Sequence, residues 1–152
     1  MILISHRGNI NKIDRKKENS QSYIQEAINL GYEVEIDIWL HNKCLYLGHD
    51  NPTYKVDLNW LEKRKKYLWI HCKNFQALSY LINSNLRIFY HLQEDYTIIS
   101  DKHIWAHNLS LVNSKCIIPL LSKKEITEWE ITDVYGVCSD FIEVLKDRLI
   151  KN

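Results

Sequence analysis

Between Glu33 and Leu40 the chain alternates: Val34, Ile36 and Ile38 are apolar, while Glu33, Glu35 and Asp37 between them are acidic. Successive side chains of a β-strand point to opposite faces. The run therefore reads as a strand with one face for a hydrophobic layer and the other lined with carboxylates. Its neighbours fix the kind of sheet it joins. Met1 to Ser5 is an apolar run that ends in a His6-Arg7-Gly8 turn, a second buried strand. Between the two, Ser20 to Leu30 places Tyr23, Ala27, Ile28 and Leu30 at helical spacing, with Gly31 as a natural C-cap. Strand, helix and strand in that order predict parallel pairing through a right-handed crossover.

The alternation continues along the chain. Cys44 to Leu47 is a short strand ending in Gly48-His49-Asp50. Asp57 to Lys66 predicts a helix N-capped by Asp57, with Leu58, Leu61 and Trp60 as candidates for its inward face. Tyr67 to Cys72 reads as a strand, Asn74 to Asn83 as a helix and Arg87 to His91 as a strand. His103 to Ala106 and Lys115 to Leu120 are short strands. Ser122 to Trp129 is a helix opened by a Ser122/Glu125 capping box, followed by a strand at Tyr135 to Ser139 and a helix at Phe141 to Ile150.

Polar residues collect at the strand C-terminal ends: His6, Glu35 and Asp37, His71 and Lys73, His91, Ser139 and Asp140. In a β/α barrel that is the active-site face. A full barrel needs about 200 residues or more. A chain of 152 residues therefore predicts a reduced TIM-type barrel, or an open sheet. The missing helices fall between Tyr90 and Pro119, where helical signal is weak. No repeat or linker interrupts residues 1–152, which predicts one domain.

Composition excludes several classes. The net charge is +1, which gives no general attraction to nucleic acid, and no nucleic-acid-binding module is recognisable. The basic run Lys63-Arg64-Lys65-Lys66 fits a solvated helix end or a basic substrate patch. Cys44, Cys72, Cys116 and Cys138 are too widely spaced for a structural zinc site and read as buried, reduced thiols. The N-terminal residues have no signal-peptide pattern and no stretch is apolar enough to span a bilayer, so a cytoplasmic protein without membrane insertion is expected. Trp39, Trp60 and Trp129 read as core or rim residues. Oligomeric state is not legible.

Within the first fifty positions His6, Arg7, Glu35, Asp37 and His49 form one reactive constellation. Glu35 and Asp37 share a strand face, and crowded inward carboxylates are costly unless a cation neutralises them. Taken alone they better fit a solvent-facing edge or a set of structural ion pairs. Arg7 suits bidentate contact with phosphate oxygens. His6 and His49 titrate near neutral pH and make a workable acid/base pair.

The order His6-Arg7-Gly8, Glu18-Asn19, Glu35-Ile36-Asp37 and His49-Asp50 resembles the glycerophosphodiester phosphodiesterase family, among the phospholipase-C-like phosphodiesterases. The ending Gly136-Val137-Cys138-Ser139-Asp140 is similar to that family's last barrel strand. The resemblance implies a β/α barrel and metal-dependent hydrolysis of a small phosphodiester. By it His6 and His49 are the catalytic acid and base, Arg7 a phosphate ligand and Glu35 and Asp37 metal ligands. Glu18 and Asn19 shape the site.

One departure matters. The family's third main strand carries Glu-x-Lys, whereas this chain has His71-Cys72-Lys73. Lys73 keeps the lysine, which assists at the phosphate. His71 either ligates the metal, contacts substrate, or marks a degraded metal site. As a ligand it favours Mn²⁺, Zn²⁺ or Fe²⁺ over an all-oxygen Mg²⁺ or Ca²⁺ site. Tyr90, His91, Asp95 and Trp105 are candidates for the wall that meets the organic part of the substrate, or for plain surface and aromatic packing. The competing function is a non-catalytic barrel remnant that binds a phosphate or phosphosugar.

Overall fold

The structure, a computed structural model, describes residues 1–151. Their order is β1 (Ile2–His6), α1 (Gln21–Asn29), β2 (Glu33–His41), β3 (Cys44–Leu47), β4 (Tyr54–Val56), α2 (Leu58–Glu62), β5 (Leu68–Cys72) and α3 (Phe75–Leu81). There follow β6 (Ile88–Phe89), β7 (Tyr96–Ile98), β8 (Ile104–Ala106), β9 (Cys116–Pro119), α4 (Lys123–Glu128), β10 (Gly136–Ser139) and α5 (Ile142–Lys151).

Parallel pairing runs through β6-β5-β2-β1-β10-β9-β8. β3 and β4 extend the end of β2 as an antiparallel hairpin, and β7 lies antiparallel to β8. Just past β7 the Ser100 N–H donates to the Ile88 carbonyl at 2.9 Å. The Ser100 hydroxyl oxygen accepts from the Ile88 N–H at 3.0 Å. One short antiparallel strand thus stands in the gap between β6 and β8, where a complete barrel would carry strand–helix units. The architecture is an incomplete TIM-type α/β barrel. Between Tyr90 and Pro119 a single 3-10 turn at Leu109–Leu111 replaces helices.

Local signals explain the helices. Ser20 caps α1 by accepting from the Tyr23 N–H, and Gly31 takes φ +89° to end it. Asp57 caps α2, and Ser122 with Glu125 forms a full capping box on α4. α2 stops at Glu62 rather than Lys66, because the chain turns there to enter β5: the Tyr67 N–H donates to the Arg64 carbonyl at 2.8 Å. Leu58, expected inward, is exposed, and Leu61 alone of that short helix is fully buried. The basic run precedes β5, at the barrel end opposite the strand C-termini, so it is no substrate patch. β4 and β7, three residues each, carry too little alternation to be read as strands. Cys72, Cys116 and Cys138 are buried free thiols, while Cys44 is only half-buried.

Strand parity sorts the core into layers. Val34, Ile36, Ile38, Leu68 and Ile70 pack outward against Ile24, Ala27, Ala77 and Leu81 of α1 and α3. Cys116, Ile118 and Val137 pack against Ile126, Ile142 and Leu145 of α4 and α5. The opposite parity supplies the barrel interior: Ile4, Trp69, Phe89, Trp105, Ile117 and Cys138, joined by Ile99. That plug closes the lumen below the strand C-termini, as side-chain layers do in barrels of this kind.

Candidate active site

Moving two residues along each strand from the apolar plug keeps the same face and reaches the next layer. The step leads from Ile4 to His6, from Trp69 to His71, from Phe89 to His91, from Trp105 to His107 and from Cys138 to Asp140. On β2 the same face carries Glu35 and Asp37. A polar layer therefore lies directly on an apolar one, and a cavity of about 310 Å³ opens over it. His6, Arg7, Glu35, His49, His71 and Lys73 line one side. Phe89, His91, Trp105 and His107 line the other.

Asp37, wholly buried, is the hub. Its Oδ2 accepts from Asn19 Nδ2 at 3.0 Å, and its own N–H donates to Asn19 Oδ1 at 2.9 Å. Arg7 Nε lies 2.9 Å from Oδ2 as an ion pair without hydrogen-bond alignment. His71 Nδ1 and Lys73 Nζ approach Oδ1 at 3.1 and 3.5 Å. Burial pushes the Asp37 carboxyl up, but the His71 hydrogen bond and the Arg7 and Lys73 charges hold it well below the usual carboxylate range. Glu35 is the opposite case. Burial, then the Asp37 charge, raises its pKa, and its buried Oε2 has no hydrogen-bond partner.

The β1–α1 loop that supports this hub is strained. Arg7 and Asn19 adopt φ of +55° and +63°. The Arg7 N–H donates to the Glu35 carbonyl at 2.9 Å and the Asn19 N–H to the Arg7 carbonyl at 3.0 Å. Gly8, at φ +91°, leaves no room for a side chain: a Cβ would sit 2.9 Å from the Tyr23 ring and 3.1 Å from its backbone carbon.

His6 Nδ1 is 2.8 Å from Asp140 Oδ1, which also accepts from Asn9 Nδ2 at 2.7 Å. That bond turns Nε2 toward Glu35 Oε2, 3.8 Å away. Burial lowers the His6 pKa, but the Asp140 hydrogen bond and the Glu35 charge outweigh it and the net shift is upward. His49 follows Gly48, whose carbonyl accepts from Trp39 Nε1 at 2.6 Å. Its Nδ1 pairs with Asp50 Oδ1 at 2.7 Å, and burial and the Arg7 charge lower its pKa. At the end of the neighbouring strand β6, His91 stacks on His71 at 4.3 Å and 4°. Burial and its histidine neighbours lower the His91 pKa to about 4.

Of the residues read from sequence, His6, Arg7, Glu35, His49, His71, Lys73 and Trp105 border one cavity. Asp37 lies beneath it, and Asn19 fixes Asp37 from behind. Glu18 sits 3.5 Å from Arg7 Nη1 and faces a neighbouring, smaller cavity. Trp105 is buried in the plug, stacked 4.8 Å from Phe89. Tyr90 packs instead against the helix-covered layer. Asp95 holds a loop, accepting from Asn108 Nδ2 at 3.1 Å and, through its carbonyl, from the His107 N–H at 2.8 Å. Sequence reasoning assigned no role to Asn9, Asp140 or His107. The register pairs Ser5 with Ser139, so Asp140 falls beside His6 only once β1 and β10 are joined.

Glu35, Asp37 and His71 offer one ligand atom each, all within 4.8 Å of one another. A buried carboxylate oxygen without a partner is costly, and a cation beside Glu35 Oε2 would satisfy it. The donor set of two carboxylates and an imidazole therefore fits a divalent ion.

No protein-family model and no curated protein matches the chain. Among solved structures it is similar to a glycerophosphodiester phosphodiesterase from Parabacteroides distasonis ATCC 8503, with a TM-score of 0.53 and 13% identity over 99% of this chain and 97% of that one. The likeness is one of fold. Among the described residues no helix is long and apolar enough to cross a membrane.

Proposed function

We propose that the cavity hydrolyses a small phosphodiester by acid/base catalysis with a divalent cation. The observation that carries this reading is the meeting, in one cavity at the strand C-termini, of two differently tuned histidines with Arg7 and Lys73. Glu35, Asp37 and His71 would hold the cation, and the imidazole favours Mn²⁺ or Zn²⁺. When bound, it supplies Lewis-acid stabilisation of negative charge on the phosphate.

The chain's own residues do the rest. Arg7 and Lys73 bind non-bridging phosphate oxygens and neutralise the charge that grows there. His49, whose pKa is lowered by burial and by the Arg7 charge, takes the proton of the attacking water or substrate hydroxyl. His6, whose pKa is raised by its hydrogen bond to Asp140, gives a proton to the leaving alkoxide. Asp140 fixes the His6 ring, as carboxylates do behind catalytic imidazoles.

Purified protein with Mn²⁺ or Mg²⁺ should cleave bis(p-nitrophenyl) phosphate or glycerophosphodiesters. A His6→Ala/His49→Ala protein should lose at least about 10³-fold in kcat. Equal rates for the two proteins on every substrate refute the proposal. One observation favours a second reading, a phosphate- or phosphosugar-binding barrel: Asp37 is already paired with Arg7, His71 and Lys73. That reading predicts thermal stabilisation by phosphate and by no divalent metal.

A further inference from the structure

A second cavity, of about 170 Å³, lies beside the first and is bordered by Arg15, Glu18, His49, Asp50 and Tyr54. His49 lines both cavities. Glu18 joins them as well, since it lies 3.5 Å from Arg7 in the larger one. The place where Arg7 and Lys73 would gather a phosphate is therefore flanked by two separate spaces. A phosphodiester carries two organic arms on one phosphorus, and the two spaces differ in chemistry.

The walls of the smaller cavity are built. The Tyr54 hydroxyl donates to the Lys16 carbonyl at 2.9 Å and ties the β3–β4 hairpin to the β1–α1 loop. Gly48 takes φ +145°, and a side chain there would overlap the Asn51 carbonyl. The Thr53 N–H closes the turn on the Leu47 carbonyl at 2.9 Å. Both acidic residues of the lining are engaged. Glu18 pairs with Arg7 and accepts from Asn9 Nδ2 at 2.8 Å, and Asp50 pairs with His49. Arg15 has no ion-pair or hydrogen-bond partner among the described residues. Among the described residues Arg15 is thus the one cation of this lining without a partner, facing a space that it shares with the Asp50 carboxylate hydrogen-bonded to His49.

We propose that the smaller cavity seats one arm of the diester, that this arm carries an anionic oxygen group such as a carboxylate or phosphate, and that Arg15 selects it. The other arm lies along Phe89, His91 and Trp105 in the larger cavity. The inference rests on the phosphodiesterase reading. Arg15 can meet a carboxylate or phosphate with a planar fork of donors, whereas a cationic arm such as choline would face its charge. Because His49 borders both cavities, it is the histidine nearest the ester oxygen of the anionic arm.

Three p-nitrophenyl phosphodiesters test this, with 2-carboxyethyl, methyl or choline as the second arm and the aromatic ring suited to the Phe89 and Trp105 wall. The wild-type protein should favour the carboxyethyl over the choline diester in kcat/KM by about tenfold or more. Arg15→Ala should reduce that ratio by about tenfold and Arg15→Lys should keep part of it. An unchanged ratio in Arg15→Ala overturns the proposal. Isothermal titration of the same diesters into His6→Ala/His49→Ala protein, with and without Arg15→Ala, reads binding apart from turnover. If no diester is cleaved, the phosphodiesterase reading fails. In that case tighter binding of the carboxyethyl diester that Arg15→Ala abolishes still supports the cavity assignment, and equal binding overturns it.

Discussion

Replacing Glu35 by Gln should make the metal-free protein more stable and at the same time remove its response to metal. Glu35 is 2% exposed, and its Oε2 has no hydrogen-bond partner. A buried charged group left unsatisfied costs about 1–3 kcal/mol. Gln keeps the shape and removes the charge. For a domain of this size each kcal/mol moves Tm by about 2–4 °C, so a rise of roughly 2–12 °C is expected in chelator. The pH dependence provides an internal control. The folded-state pKa of Glu35 is raised, by burial first and then by Asp37. A raised carboxyl pKa means that folding carries the cost of the charge above that pKa and none below the unfolded value. The advantage of Gln should therefore be full above the folded-state pKa and vanish as the pH falls through the folded and then the unfolded pKa. With Mn²⁺ at about a hundred times its Kd, wild type should gain about 2.7 kcal/mol and the variant little, so the stability gap between them closes or reverses. Differential scanning fluorimetry with and without Mn²⁺ at several pH values measures all of this. A Glu35→Gln protein that is less stable in chelator, or that Mn²⁺ stabilises as much as wild type, refutes the reasoning.

Asp140→Asn removes the charge that holds His6 upward. The basic limb of the kcat/KM profile should move to lower pH and kcat should fall by about a hundredfold, read from a pH–rate series on a p-nitrophenyl diester. Gly8→Ala forces a Cβ to within 2.9 Å of the Tyr23 ring at φ +91°. It should cost about 1–3 kcal/mol in urea unfolding. Trp69→Ala opens the fully buried barrel plug and should cost about 3–5 kcal/mol in the same measurement. Lys73→Ala should raise KM and lower kcat/KM by about tenfold or more without loss of Mn²⁺ binding, since Lys73 is not in the ligand group.

The parts of this fold legible in sequence were those encoded locally. The nine residues of β2 show their two faces because the run is long enough for alternation to repeat. Ser20, Asp57 and Ser122 announce helix starts because caps act within one turn. β4 and β7 have three residues each, so neither carries a pattern. The same limit applied to the site. Glu35 and Asp37 were visible as a pair because they share one strand. The support of His6 by Asp140 was not, because it spans 134 positions and depends on the pairing of β1 with β10. Arg15 lacked a signal of its own, since one cation among Lys12, Arg15, Lys16 and Lys17 in a polar loop has no distinguishing neighbour. Only the β4 contact through Tyr54 shows which cavity its loop borders.

His71 is the residue on which the sequence and the site differ most from the pattern they resemble, and its surroundings account for the imidazole. It stacks on Phe89 at 5.1 Å and on His91 at 4.3 Å, with interplanar angles of 8° and 4°. A carboxylate at this position would have to bury its charge against those two ring faces. The charges at the hub point the same way. Glu35 and Asp37 supply two carboxylates, and Arg7 and Lys73 supply two cations around them. A glutamate at position 71 would add a third buried carboxylate, whose desolvation is offset in full only on the condition that a cation is bound. Histidine keeps a ligand atom beside Asp37 at 3.1 Å without that condition. Histidine at position 71 therefore adds no further buried carboxylate to the hub, and the Glu35→Gln comparison above is informative because the metal-free protein is expected to fold.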